Sequence, residues 1–371
     1  MDRVGIVTIV DQRNYGNRLQ NYALQNALKS LGVSRVETVN NSPRPESRLL
    51  LAKRGAMAIG KSPLGTTQRN LRRWLEHREA RNAERIASAE PTQFCAEFSE
   101  NHIQSYPTRY DEITDKRQFA SDFDAFVVGS DQVWNPGFRN VNGIDFLTFA
   151  KPLQRIAYSA SFGIPQVPGY LRSVYRRRLR GIPSISVRES SGASIVNELI
   201  GRSVPVVLDP TLAVPSEQWT SLASTPAELH GRDYALSFFL GGFKDGERER
   251  LQQDYRRAGL DLVDYQSTAF LACAPPELFL GALRGAKVVV TDSFHAAALS
   301  LVMRTPFRVR FRNAGDTRMD ALFSLLGART DGPHELAIPV PAWDAVQERL
   351  EVERHRSLAW LGQALERASA S

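Results

Sequence analysis

The sequence predicts an α/β protein of two parts, each built on a parallel, doubly wound sheet. Three observations predict it. Short apolar runs of strand length alternate with helix-periodic stretches along most of the chain. The polar segments richest in Asn, Asp, Ser and Gly follow strands, which is where open α/β sheets bind ligands. At 371 residues the chain also exceeds one typical core and suits two domains of about 150–200 residues.

Taken in order, residues 4–10 form an apolar strand, and Asp11 to Asn17 a polar loop. A helix is predicted from about Arg18 to Leu31, with Leu19, Tyr22, Ala23, Asn26 and Ala27 on one face and Gly32 placed for a left-handed cap. Residues 34–39 are the second strand of this βαβ opening. Residues 42–90, broken by Pro43, Pro45, Gly55, Gly60, Pro63 and Gly65 and ending in a charged helix, read as an insertion. A short helix over 94–103 and strands over 125–128, 155–159, 184–187 and 204–208 continue the first part. Ser190 is expected to cap a helix reaching about Ile200. The polar stretch 215–232 marks a boundary.

The second part carries strands over 234–240, 260–265, 287–290 and 307–311, with helices over 247–258, 276–284 and 319–326. The expected division is therefore an N-terminal domain over 1–215 and a C-terminal domain over 230–345. A long charged amphipathic segment, 342 to about 368, supplies a last helix, 346–371 in the domain division, expected to cross back to the first part.

Composition narrows the class. Hydrophobic content of 42% and charged content of 23% are those of a soluble globular protein. The strand-like 4–10 reaches Asp11 too soon for a signal peptide. No apolar run approaches the roughly 18–20 residues of a membrane span, and Cys95 and Cys273 are too few for a disulfide framework or a thiolate zinc site. A cytoplasmic protein without metal or cofactor is expected. Residues 44–85 hold eleven Lys/Arg against four acids, a local excess equal to the whole net charge of +7. With no aromatic interleaving beyond Trp74, nucleic acid is not the expected partner. Anionic lipid at the inner membrane face, a diphosphate-bearing acceptor, or a plain solvated helix face all fit.

The densest chemistry lies in Thr291-Asp292-Ser293-Phe294-His295. Ser293 or Asp292 is a natural N-cap for the helix that follows, so unpaired amides point out of the loop toward any anion. His295, one or two residues in, adds a proton donor or acceptor near neutral pH. The plain alternative is a capped turn with a half-exposed histidine. Asn14 to Asn21 occupies the place of a dinucleotide fingerprint but has one glycine, which excludes that reading. Its amides and Arg18 suit a hydroxyl-rich or anionic ligand, with an Asx-turn and helix N-cap as the plain alternative. Ser130, Asp131, Gln132 and Trp134 offer a carboxylate, neutral polar groups and an aromatic face, as a sugar site would, or a capped turn over a core tryptophan. Arg188, at the end of a buried strand, suits capture of a carboxylate or phosphate, or an ion pair with Glu189 or Asp209. Asp209 reads as a structural carboxylate. Arg308, Arg310 and Arg312 alternate along one strand and line either an anion pocket or its wet side.

Several of these stretches resemble the polysaccharide pyruvyl transferase family in register: NYGNRLQNYALQNALKSLG (14–32), FVVGSDQVWNP (126–136), YSASFG (158–163), ISVRESSG (185–192), VLDPT (207–211) and VVTDSFHAAALSL (289–301). The small Ala296-Ala297, where a glycine is commoner, is a departure that bears on pocket shape. The resemblance implies two Rossmann-like domains facing across a cleft, GT-B-like. It also implies transfer of a pyruvyl group from phosphoenolpyruvate to two sugar hydroxyls, giving a cyclic ketal and phosphate, in cell-surface or exopolysaccharide biosynthesis. Under it, His295 is the acid/base, Arg188 holds the donor anion and Asp292 orients the imidazole or the loop. Ser293, Phe294 and Arg318 join them at the donor. Asn14, Asn17, Arg18, Gln20, Ser130, Asp131, Gln132 and Trp134 face the acceptor, which the resemblance leaves free to be lipid-linked. A GT-B nucleotide-sugar glycosyltransferase is the alternative, and a non-catalytic glycan- or membrane-binding protein a third class.

Overall fold

The continuous apolar runs read from the sequence form strands buried on both faces, the mark of parallel sheets covered by helices. A computed structural model of the chain describes residues 1–41, 93–139, 141–311, 319–327, 335–337 and 343–369. The insertion expected at 42–90, its basic stretch 44–85, Arg312 and Arg318 lie outside the described residues.

The first sheet contains β1 (Arg3–Val7), β2 (Arg35–Thr38), β3 (Ala125–Val128), β4 (Arg155–Ala160) and β5 (Ser184–Val187), all parallel in the order β2-β1-β3-β4-β5. The second contains β6 (Tyr234–Phe238), β7 (Asp261–Asp264), β8 (Val288–Thr291), β9 (Phe307–Arg310) and β10 (Glu335–Ala337), in the order β10-β9-β8-β6-β7. Among the described residues only β10 runs antiparallel, on β9. The fold is thus two Rossmann-like sheets in a GT-B-like pairing. Strand order reverses at β1/β3 and at β6/β8, and such switch points open a crevice at the carboxyl ends of the strands. The segment 204–208, expected as a strand, makes only an isolated bridge from Val206 to Val187.

Helix α1 (Tyr15–Ser30) starts three residues before the predicted Arg18 because Asn14 caps it, its side chain accepting from the Asn17 amide. Gly32, at φ +85°, ends it as expected. Helices α2 (Ala96–His102), α3 (Lys116–Ser121), α4 (Arg172–Arg180) and α5 (Ser190–Ile200) cover the first sheet's connections. Glu189 stands at the start of α5 but makes no cap bond, because its side chain is committed elsewhere.

A short helix, α6 (Pro210–Ala213), matters out of proportion to its length. It is wholly buried, N-capped by Asp209, and packs on α1, on α10 (Phe294–Val302) and on the final helix α12 (Trp343–Ser369). Helices α7 (Ser216–Leu222), α8 (Glu247–Arg257), α9 (Pro276–Gly285) and α11 (Asp320–Leu326) complete the described set. Along α12, Val346 and Leu350 join the core around the second sheet, whereas Leu361, Ala364 and Leu365 pack under β1 and β3. Arg354 between them donates to the Leu212 and Val214 carbonyls, tying α12 to the carboxyl end of α6.

Candidate active site

Strand β8 ends at Thr291, whose hydroxyl donates to the Phe238 carbonyl (2.7 Å) and accepts from the Ser293 amide (3.0 Å). Ser293 then caps α10, its Oγ accepting from the Ala296 amide (3.4 Å), so His295 is the second residue of the helix. Asp292 does not orient the imidazole. Its carboxylate turns back under the loop after β6, accepting from the Leu240 (2.7 Å) and Gly241 (3.1 Å) amides and from Arg310 Nη2 (2.9 Å). Arg310 also binds Glu247 and the Gly242 carbonyl and lies 3.9 Å over the Phe239 ring. It is buried and pinned in this network, so the β9 arginines do not line an anion pocket: Arg308 is exposed on the same strand.

The carboxylate beside His295 is Asp209, with its Oδ2 4.0 Å from Nε2. Asp209 is fully buried and shared by four groups. One oxygen takes the Thr211 amide (3.0 Å) and hydroxyl (2.7 Å); the other takes the Ser130 hydroxyl (2.6 Å) and Arg188 Nη1 (3.1 Å). Burial by itself would raise its pKa, but His295, Arg188 and these hydrogen bonds outweigh burial and hold it below the ordinary value. On its other face the imidazole lies against α1. A Cβ added at Gly16 would sit 2.1 Å from His295 Nδ1, so glycine is the residue that lets the ring occupy this place.

Arg188 is 1% exposed and surrounded by carboxylates: Asp209, Asp131 at 3.6 Å and Glu189 at 3.8 Å, with the Phe294 ring 4.8 Å beneath it. Burial pushes the guanidinium down, yet the three carboxylates carry its pKa above the ordinary value. Burial dominates at Glu189 and raises it, although its Oε1 accepts from the Ser161 hydroxyl (3.0 Å) and the Phe162 amide (2.9 Å). The ion pair that sequence reading offered as the alternative for Arg188 is therefore present, at the ligand face.

These groups border a cavity of about 360 Å³ at the carboxyl ends of both sheets. Asn14, Asp131, Gln132, Arg188, Ser293 and His295 form its polar end. The other end is aromatic, with Phe94, Phe238, Tyr265 and Phe279 around Tyr15, whose ring stacks on Phe279 at 4.3 Å. Tyr15 donates to the Ala274 carbonyl at 2.6 Å, which joins the start of α1 to the second sheet's side of the cavity. Among the described residues, no group of three or more His, Cys, Asp or Glu is placed to hold a metal ion.

Five residues expected at the acceptor do not line the cavity. Trp134 is core: it stacks on Phe146 and donates to the Asp145 carbonyl at 2.7 Å. Arg18 is buried with one nitrogen on the Ile9 carbonyl (2.7 Å), and burial lowers its pKa to about 10. Gln20 is fully buried on the Thr8 hydroxyl (2.8 Å), and Ser130 serves Asp209. Asn17 sits one layer back, its amide nitrogen on the Asp131 carboxylate. Sequence reading missed two residues, Gly16 and Asp209 as the partner of His295. A signal existed for each: the single glycine at a helix start, and an Asp-Pro-Thr cap.

The polysaccharide pyruvyl transferase sequence profile matches residues 14–310, which contain every residue of the polar end. The chain belongs to the polysaccharide pyruvyl transferase family. A polysaccharide acceptor is implied for this pyruvyl transferase by that membership. No curated protein matches it in sequence. Among solved structures, it is similar to the UDP-GlcNAc 2-epimerase of Methanocaldococcus jannaschii in complex with UDP-GlcNAc and UDP, at 11% identity over 95% of this chain and 99% of that one, TM-score 0.39. It is also similar to a Listeria monocytogenes protein assigned as a UDP-N-acetylglucosamine 2-epimerase, at 11% identity over 98% and 91%, TM-score 0.43. Neither likeness bears on what the pyruvyl transferase acts upon.

Proposed function

We propose that the enzyme transfers a pyruvyl group from phosphoenolpyruvate to two hydroxyls of one sugar, forming a cyclic ketal and releasing phosphate. The observation that carries this reading is the juxtaposition of His295, Asp209 and Arg188 at a cavity where two helix amino termini meet, those of α1 and α10. An enol phosphate is anionic at both its carboxylate and its phosphate, and helix-end amides with a guanidinium suit such a ligand.

In this scheme His295 gives a proton to the vinyl methylene as a sugar hydroxyl adds to the neighbouring carbon. The second hydroxyl displaces phosphate from that carbon. Of the two hydroxyl protons, one replaces the proton His295 gave to the new methyl group and the other leaves with phosphate. Asp209 holds the imidazole and balances its charge between turnovers, and Arg188 holds the donor anion while remaining paired to Asp209. Asp131 and Gln132, on the first sheet's side of the cavity, face the acceptor, and Asp131 takes up the hydroxyl proton that then leaves with phosphate. Phe94 and Leu240 border the side where a sugar's apolar face would lie.

The test is phosphate release from phosphoenolpyruvate against a panel of sugar acceptors, with mass detection of the pyruvyl adduct. Acceptor-dependent phosphate with an adduct is the expected result. Release without an adduct, or stabilisation by a sugar nucleotide and not by phosphoenolpyruvate, sinks the proposal.

A further inference from the structure

A second concentration of charge lies at the opposite end of the first sheet, where β4 and β5 begin. Helix α4 has the sequence RSVYRRRLR, with no acid in it. Around its carboxyl end gather Arg155, Arg176, Arg177, Arg178, Arg180 and Arg202. Four of them are anchored on backbone carbonyls: Arg155 on Ala150 (2.9 Å) and Gly181 (3.2 Å), Arg176 on Leu199 (3.0 Å), Arg202 on Ile182 (2.8 Å), and Arg178 on Val141.

Among the described residues none of these six is within ion-pair distance of a carboxylate. Glu198 is taken by Arg172 at 2.7 Å, and Asp145, which faces Arg178, is taken by Arg139. Burial, and then repulsion from Arg177, pulls Arg178 below its ordinary pKa, and Asp145 offsets only part of this. Two large apolar side chains stand out at the ends of this basic strip. Tyr170, just before α4, is 65% exposed, and Leu153, two residues before Arg155, is 53% exposed.

Carbonyl-anchored guanidinium groups are held in place without being neutralised, so they add a fixed positive potential beside the exposed Arg177 and Arg180. Phosphate is the anion they match best, through paired N–H donors. Single exposed apolar side chains at either end, one aliphatic, fit insertion between lipids better than stacking on bases. We propose that this edge of the first sheet is a docking surface for an anionic phospholipid membrane, with Arg177 and Arg180 at the headgroups and Tyr170 and Leu153 as anchors. The surface is independent of the cavity and of the pyruvyl-transfer reading.

The experiment is co-sedimentation of the full chain with phosphatidylcholine vesicles, with and without phosphatidylglycerol. Wild type should bind the anionic vesicles and release with rising salt. Each basic side chain near an anionic surface strengthens binding roughly fivefold. The Arg177→Glu/Arg180→Glu variant, whose two exposed side chains make no hydrogen bond among the described residues, should therefore bind at least about tenfold more weakly. Leu153→Ser/Tyr170→Ser should weaken binding several-fold and leave its salt dependence unchanged. Equal binding to both vesicle types overturns the proposal. So does unchanged binding by the charge-reversed variant, which would move the contact to another part of the chain such as 44–85. Variant-sensitive binding to a soluble polyanion such as DNA, with none to vesicles, overturns it in favour of a nucleic-acid partner. Phosphate release with a water-soluble acceptor should be the same in all variants, so a failure here and a failure of the proposed activity are distinguishable.

Discussion

Two buried ion networks lie behind the two sheets' carboxyl ends, made of the same residue types yet set to different work. Arg188 gathers Asp131, Asp209 and Glu189 at the end of the first sheet, and Arg310 gathers Asp292 and Glu247 at the end of the second. The first network opens on the cavity and reaches His295 through Asp209. The second closes on backbone, since Asp292 is filled by the Leu240 and Gly241 amides and Arg310 by the Gly242 carbonyl. A buried arginine with two carboxylates is therefore not a sign of chemistry by itself. What separates site from scaffold is whether the remaining hydrogen-bonding capacity faces a void or a main chain.

Four substitutions break or sharpen that contrast. The largest effect is expected at His295: His295→Ala should cut acceptor-dependent phosphate release by about 10²–10⁴-fold with an unchanged melting temperature. Near-wild-type turnover would remove His295 from the mechanism. Next is Arg310→Met, which leaves Asp292 and Glu247 buried without their cation and should cost about 3–5 kcal/mol of stability in denaturant unfolding. A variant with unchanged stability and lost turnover would make the second network catalytic and erase the distinction. Third, Gly16→Ala puts a methyl group where His295 Nδ1 lies, so turnover should fall by about a hundredfold through displacement of the ring. Wild-type turnover in this variant would show that the imidazole does not rest on α1 when it acts.

The smallest effect concerns Glu189 and tests its charge. Its raised pKa means that the folded state resists ionisation more than the unfolded chain does. Stability therefore declines as pH rises from the ordinary glutamate range up to the raised folded value. Asp209, held low, acts the other way: the stability it lends is present above the ordinary carboxylate range and is lost as pH falls through its folded value. Glu189→Gln keeps an acceptor for Ser161 and Phe162 and removes the charge. Its melting temperature at neutral pH should be equal to or a few degrees above wild type, with the decline abolished. A melting temperature lowered by many degrees would show that Arg188 needs all three carboxylates.

Much of the site could be read without coordinates. Ser293 as the cap and His295 in the first turn of α10 follow from residue order, whereas the start of α1 falls one turn earlier than the polar loop 11–17 suggests. Arg188 could be placed at the ligand face because it ends a strand in an open α/β sheet. The orientation of side chains was less accessible. Trp134 and Asp131 share one loop, but only Asp131 reaches the cavity, because the ring of Trp134 fills the space between Phe146 and Phe162. Arg18 and Gln20 lie on the buried face of a helix whose first turn alone borders the cavity.

The sequence alone determined the class of fold, the strand ends at which a ligand would meet the chain, and the histidine set at a helix start. Periodicity and capping act over a few residues, so a short stretch specifies them. Only the tertiary structure decided that Asp209 partners His295, that Asp292 turns away from it, and that Gly16 gives the imidazole its seat. Those pairings join residues far apart in the chain, brought together by α6 packed among α1, α10 and α12. No local pattern encodes which of two buried carboxylates such packing leaves beside the ring.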